Sequence, residues 1–184
     1  MAKAIVVGDG PAGLSAALFL AKNGQQVEVF GRDGTGMNFA YLHNYLGLAD
    51  IAGPDFQARA REQVAGVGAQ LHDTTVTEVS AAEGSVTARL ESGETVEADY
   101  LVLAEGKSPA LARSLGLAED ARGGLRVDAE GLSSQPRVYV VGRSTRPGRS
   151  QAIISAGDGA RAALHILARE LGKDFQDWDT PPKA

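Results

Sequence analysis

Apolar residues first run together at Ala4–Val7 and then spread to Leu14, Ala17, Leu18 and Ala21. The continuous run predicts a strand. The change to helical spacing predicts a helix, which Asn23-Gly24 ends. Gln26–Phe30 returns to a strand pattern. Strand, glycine turn, helix and strand in about thirty residues make a βαβ unit.

Residues 31–50 read as a loop, with Gly31, Gly34, Gly36 and Gly47 around the phrase Asn38–Tyr45. Pro54 marks the onset of a helix reaching about Val67, with Phe56, Ala60 and Val64 on one face. Gln70–Leu71 is the next short parallel strand. Thr75–Ser80, Ser85–Glu91 and Glu94–Ala98 then alternate, with Glu83-Gly84 and Ser92-Gly93 as turns, which predicts an antiparallel meander laid on the main sheet. Tyr100–Leu103 and Val138–Val141 return to the parallel sheet, separated by a short helix near 109–115 and turn residues at Arg126-Val127-Asp128. A long helix from Gln151 to Leu171 closes at Gly172. The fold class is therefore α/β: a Rossmann-like domain with a parallel sheet, covering helices and a small antiparallel meander.

Composition narrows this further. The 184 residues fit one domain, and 43% hydrophobic against 22% charged residues is a folded rather than a disordered balance. With 5% aromatic residues the core falls to Val, Leu, Ile and Ala, which suits a parallel sheet under Ala-rich helices. Lys and Arg total 18 against 23 Asp and Glu, so nucleic acid and anionic membrane are not expected partners. There is no cysteine, which excludes a disulfide, a thiolate metal site and redox chemistry through the chain's own thiols. The opening MAKAIVVGDG lacks the length and cleavage site of a signal peptide, and no apolar run is long enough to span a bilayer. A cytoplasmic protein is the expectation.

The turn Gly8-Asp9-Gly10-Pro11-Ala12-Gly13 satisfies G-x-G-x-x-G between a strand and a helix. Gly8 permits a sharp exit from the strand, Gly10 admits a pyrophosphate to the backbone, and Gly13 allows close packing of helix on strand. The helix starting near Ala12 points free N–H groups and its positive end at the phosphates, and Pro11 costs nothing in a first turn. A dinucleotide site is the reading; the alternative is a tight turn that binds nothing. The acidic residue that normally ends the second strand and meets the adenosine ribose is missing. Phe30-Gly31-Arg32 stands there, and Asp33 lies further along. Arg32 has three roles open to it: stacking on adenine, meeting the ribose, or facing solvent.

With these motifs in place, the chain resembles the FAD-binding part of thioredoxin reductase and its relatives among the two-dinucleotide-domain flavoproteins. Ile5–Ala17 carries the first part of the likeness. His43-Asn44-Tyr45-Leu46-Gly47 resembles the family's E-N-x-P-G segment, which passes near the flavin. Ala104-Glu105-Gly106 resembles its A-T-G strand end. Tyr139–Gly142 followed by Gln151–Ala163 resembles the second flavin motif. The resemblance implies FAD as the cofactor. It implies contacts from Gly8, Gly10, Pro11, Ala12, Gly13, Arg32, Asn44, Ala104, Gly106, Gly142, Arg143, Gln151, Ala152 and Ile153. A helix starting near Gln151 would aim its N–H groups at the flavin edge where negative charge gathers on reduction. Gly157 and Gly159 would let that helix lie against a neighbouring backbone.

Departures from the family pattern qualify the chemistry. Full-length thioredoxin reductases insert an NADPH domain that also carries a C-x-x-C pair. Here a short bridge replaces it, so that one FAD-binding domain over 1–184 is assembled from 1–108 and 125–184. The family's G-D turn reads Gly142-Arg143, and Arg143, Arg146 and Arg149 either neutralise the pyrophosphate or form a solvated basic loop. Glu105, in place of the A-T-G threonine, either lowers a nearby flavin's potential or faces solvent at a strand end. His43 is a candidate to donate to the flavin or pass a proton, against an ordinary loop histidine. Tyr41 and Tyr45 either cover a ring or close a satellite core, while His72 and His165 are read as structural. No metal site is expected. The expectation is an FAD flavoprotein, an oxidoreductase or electron-transfer component served by a nicotinamide or protein donor, and a homodimer as in the family. The alternatives are a flavin-bound sensor or structural partner without turnover, and a domain for NAD(H) or another ADP-containing ligand.

Overall fold

The computed structural model describes residues 1–180. In chain order its elements are β1 (Lys3–Val7), α1 (Pro11–Lys22), β2 (Gln26–Gly31), β3 (Tyr41–Leu42), β4 (Ile51–Ala52), α2 (Gly53–Gly66) and β5 (Gln70–Asp73). There follow β6 (Val76–Ala81), β7 (Val86–Leu90), β8 (Thr95–Ala98), β9 (Tyr100–Leu103), α3 (Ala110–Ser114), β10 (Val138–Val140) and α4 (Ala152–Leu171).

Five strands form one parallel sheet in the order β10-β9-β1-β2-β5. Its central strands read as unbroken apolar runs because both faces are covered. Ala4, Val6, Val102 and Tyr139 face a layer of α1, α2 and α4. Ile5, Leu101, Leu103 and Val140 face the antiparallel sheet β6-β7-β8, together with Ala112 of α3, Leu117 of the bridge and Leu125 where the bridge ends. The α/β class and the meander are as the hydrophobic pattern predicts.

Register places the site. Val7 lies beside Leu103, and Leu103 beside Val140, so the chain leaves β1, β9 and β10 along one edge of the sheet. The chain builds outward from β1 in opposite directions, to β2 on one side and later to β9 on the other. The β1–β9 boundary is therefore the topological switch point, where open α/β sheets form their ligand crevice. The segment between β2 and α2 is more ordered than a loop. It forms a 3₁₀ turn at Gly36–Phe39, and β3 pairs antiparallel with β4. Two-residue strands paired across an excursion leave no periodic trace in the sequence.

Candidate functional site

A cleft of about 670 Å³ opens at that sheet edge. The glycine turn makes one wall. Gly8 has φ +100°, and a Cβ there would lie 2.4 Å from the carbonyl oxygen of Ala104. A Cβ on Gly13 would lie 1.8 Å from the Gly8 carbonyl oxygen, so that glycine closes helix onto strand. On Gly10 a Cβ would meet only the Thr35 hydroxyl, at 3.0 Å. The Gly10 backbone lines the cleft. The N-cap of α1 is Gly10 itself, with no side-chain cap and no acid in the first turn. α4 begins the same way: its N-cap Gln151 makes no capping bond, and no acid occupies its first turn. Both helix starts reach the cleft through Pro11, Ala12, Gln151 and Ala152. The first N–H groups of a helix have no partner within it, so two positive helix ends converge on one space.

The loop wall carries His43 and Asn44. Asn44 Nδ2 donates to Gln151 Oε1 at 3.2 Å, tying this loop to the start of α4. His43 is exposed, 2.8 Å from Asp50 through Nδ1, with its ring tilted on Tyr41. Tyr41 stays exposed at the cleft, while Tyr45 packs on Phe56 in a satellite core with Met37, Leu42 and Ile51.

Glu105 faces the cleft wall with Ala104 and Gly106, but it is not the loose carboxylate that a strand end suggests. Its two oxygens accept the backbone N–H of Leu111 at 2.8 Å and of Ala112 at 2.9 Å, which caps α3. Burial pushes its carboxyl above the ordinary glutamate range, against those N–H bonds, which act to lower it. The cap was not visible in the sequence because Glu105 lies outside the helix it serves.

The basic segment divides. Arg143 is exposed and lines the cleft. Arg146 instead pairs with buried Asp158 of α4, which Arg161 also approaches at 3.2 Å. Burial holds Arg146 below the usual guanidinium value. Arg149 is exposed and is not part of the cleft wall.

Of the remaining sequence candidates, Gly142 lies behind the cleft wall, where a Cβ would be 2.8 Å from Ala12 Cβ, and Ile153 falls just outside the lining. Arg32 also lies outside it: its guanidinium pairs with Glu91 at the start of the turn after β7, and this ion pair draws it from the cleft. Gly157 corrects another expectation, since nothing lies within 4 Å of a Cβ there; only Gly159 makes the close approach. His72 stacks on Phe30 at 4.9 Å and contacts Glu28, and His165 receives the Tyr139 hydroxyl at 3.0 Å or donates to it. Sequence reasoning missed Asp9, Thr35, Lys107 and Ser155, all on the cleft wall. Thr35 was open to recognition as a cap, because its hydroxyl accepts the Met37 N–H at the 3₁₀ turn. Among the described residues no group of three or more His, Asp or Glu is arranged to hold a metal, and no helix is long and apolar enough to cross a membrane.

A family model described as pyridine nucleotide-disulphide oxidoreductase matches residues 41–159. The chain belongs to that family. A thioredoxin reductase of Claviceps purpurea is 31% identical over 175 residues, covering 91% of this chain and 51% of the relative. A thioredoxin reductase of Mycolicibacterium smegmatis is 32% identical over 187 residues, covering 90% of this chain and 58% of the relative. The chain thus spans about half the length of these curated relatives. Among solved structures, a thioredoxin reductase from Gloeobacter violaceus superposes with a TM-score of 0.89 at 15% identity, covering 97% of this chain and 99% of that one. The atypical thioredoxin reductase of Desulfovibrio vulgaris Hildenborough gives 0.81 at 18%, covering 91% and 97%. These superpositions show the fold.

The cleft suits a pyrophosphate-containing cofactor of this family. Glycine keeps the backbone bare where a Cβ at position 10 would enter the space beside Thr35, and no acidic side chain occupies the first turn of either helix.

Proposed function

We propose that this chain is an FAD-binding domain whose cofactor exchanges electrons with a nicotinamide or protein donor and a separate acceptor. The observation that carries this reading is the convergence of two uncapped helix starts, α1 and α4, on one cleft at the switch point of the sheet. FAD, when bound, supplies one- or two-electron redox chemistry.

The chain's own residues bind and orient. The backbone at Gly10–Ala12 meets the pyrophosphate, with Arg143, an exposed cation on the cleft wall, as a counter-charge. The start of α4 and Asn44 hold the flavin end, with His43 beside it as the group able to exchange a proton with solvent. The 184 residues contain no cysteine, which supports a reading in which no dithiol among them takes part. In this reading 1–184 is one domain, with the bridge standing in for an inserted nicotinamide domain; Leu117 of that bridge and Leu125 at its end support it by filling the core under the meander. The same reading takes the protein to be a cytoplasmic homodimer.

The test is anaerobic addition of NADPH, NADH or a reduced protein donor to the FAD-loaded protein, followed by an acceptor. Bleaching of the flavin and its recovery support the redox role. A bound flavin that neither bleaches at a useful rate nor returns electrons assigns the site to binding alone.

A further inference from the structure

β2 ends without the acidic residue that a dinucleotide-binding βαβ unit presents to the adenosine ribose. Gly31 stands at that strand end. A Cβ on Gly31 would lie 2.5 Å from both Cγ and Oδ1 of Asp9. The carboxylate of Asp9, rising from the second position of the glycine turn, fills the volume that a side chain at position 31 would need.

Asp9 is 4% exposed, yet it lines the cleft. Its Oδ2 accepts the backbone N–H of Asp33 at 2.9 Å and pairs with Arg61 of α2. Gln57, also of α2 and itself buried, donates through Nε2 to the Asp9 backbone carbonyl. All the side-chain bonds fall on Oδ2, so Oδ1, the oxygen poised over Gly31, has no hydrogen-bond partner among the described residues. Burying a carboxylate is costly unless a partner neutralises it, and Arg61 does so through Oδ2.

We propose that Asp9 supplies the ribose-binding carboxylate that β2 lacks. The acid sits on the glycine turn instead of the strand end, and Gly31 is the residue that makes room for it. Arg61 is a positioning residue, fixing the carboxylate so that Oδ1 accepts from a ribose hydroxyl. A carboxylate at this point also repels phosphate, so the site takes adenosine with free ribose hydroxyls and rejects a 2′-phosphorylated one. This rests on the dinucleotide reading of the cleft and specifies which residue selects the ribose.

The test compares the native protein with Asp9→Ala, Gly31→Asp and the exchange Asp9→Gly/Gly31→Asp, each checked for folding by circular dichroism. FAD affinity is read by fluorescence titration, and ADP, 2′-deoxy-ADP and 3′-deoxy-ADP are compared by calorimetry. Loss of the charge-assisted bond predicts roughly 10- to 100-fold weaker FAD binding for Asp9→Ala. Arg61 keeps its second partner, Asp73 at 2.8 Å, so this variant does not strand the guanidinium. Gly31→Asp alone drives two carboxylates into one space and also loses affinity. The exchange variant returns the acid to the strand and recovers most of what either single change loses. The native protein prefers ADP to at least one deoxy analogue, and Asp9→Ala does not. Native affinity in Asp9→Ala, or a folded exchange variant no better than Gly31→Asp, means that Asp9 and Arg61 are a structural ion pair only and overturns the proposal. Discrimination among the ADP analogues without FAD binding overturns the FAD reading while leaving Asp9 its role; no discrimination by a native protein that does bind FAD overturns Asp9 alone.

Discussion

A Cβ on Gly159 would lie 2.0 Å from the carbonyl oxygen of Ala12, so α4 rests directly on the first turn of α1. That single approach sets the two helix starts side by side. It also explains the small residues along both helices, Ala12, Ala16 and Ala17 on one and Ala162 and Ala163 on the other, all buried in the same layer.

Gly159→Ala should therefore be destabilising despite the better helix propensity of alanine. Backbone stands in the way, and overpacking of this kind costs about 1–3 kcal/mol. Gly157, exposed in the same helix with nothing within 4 Å of its Cβ position, gives the opposite sign. Gly157→Ala should stabilise by about 0.5–1 kcal/mol. Urea denaturation of the two variants checks both, and equal shifts would contradict the packing described.

This pair also shows where the sequence was legible. Spacing located the strands of the main sheet, the meander and the helices, and the G-x-G-x-x-G turn marked the stretch from Gly8 to Ala12 on the cleft wall, because each depends on neighbours a few residues away; the other wall residues named from sequence came from the family resemblance. Gly157 and Gly159 look alike in sequence; only the α1–α4 approach separates them. The same holds for Arg146, drawn to Asp158, and Arg32, drawn to Glu91, whose partners lie 12 and 59 positions away. Asp9 was hidden for a further reason: it fills a variable position of its motif, and its meaning depends on the empty side chain at Gly31.

Gly10→Val places a branched side chain where the backbone faces the cleft. A Cβ there would lie 3.0 Å from the Thr35 hydroxyl, a side chain and not backbone, and displacing it costs at most the Met37 N–H bond, so the variant should fold. Its FAD affinity should drop more than about tenfold as phosphate is kept from the helix start. A folded variant with native affinity would remove the glycine turn from the site.

Glu105 gives the protein a pH signature. Its carboxyl holds a proton more tightly in the folded state than in the unfolded chain, where the ordinary value is 4.5. The folded state then binds more protons, so this contribution to stability falls as pH rises from about 4.5 through the higher folded value. Glu105→Gln keeps one acceptor oxygen of the two that cap α3 and carries no charge, so its constant cost is subtracted by reading the difference against pH. The stability difference between native protein and variant should shift in the variant's favour over that window. A difference that does not change with pH would contradict burial as the dominant influence on Glu105.

The basic segment predicts a division of labour. Arg143→Gln should weaken FAD binding several-fold and reduce its salt dependence, because an exposed cation on the cleft wall acts through a screened field. Arg149→Gln should leave both unchanged. Titrations at two salt concentrations distinguish them, and matched losses would mean a diffuse basic loop.

The most direct test of the central claim is titration of the apo-protein with FAD, followed by the absorbance spectrum of the isolated complex and mass identification of the released cofactor. One FAD per chain, with a flavin spectrum perturbed from that of free FAD, is the result predicted. A folded protein that retains no FAD after reconstitution would contradict it.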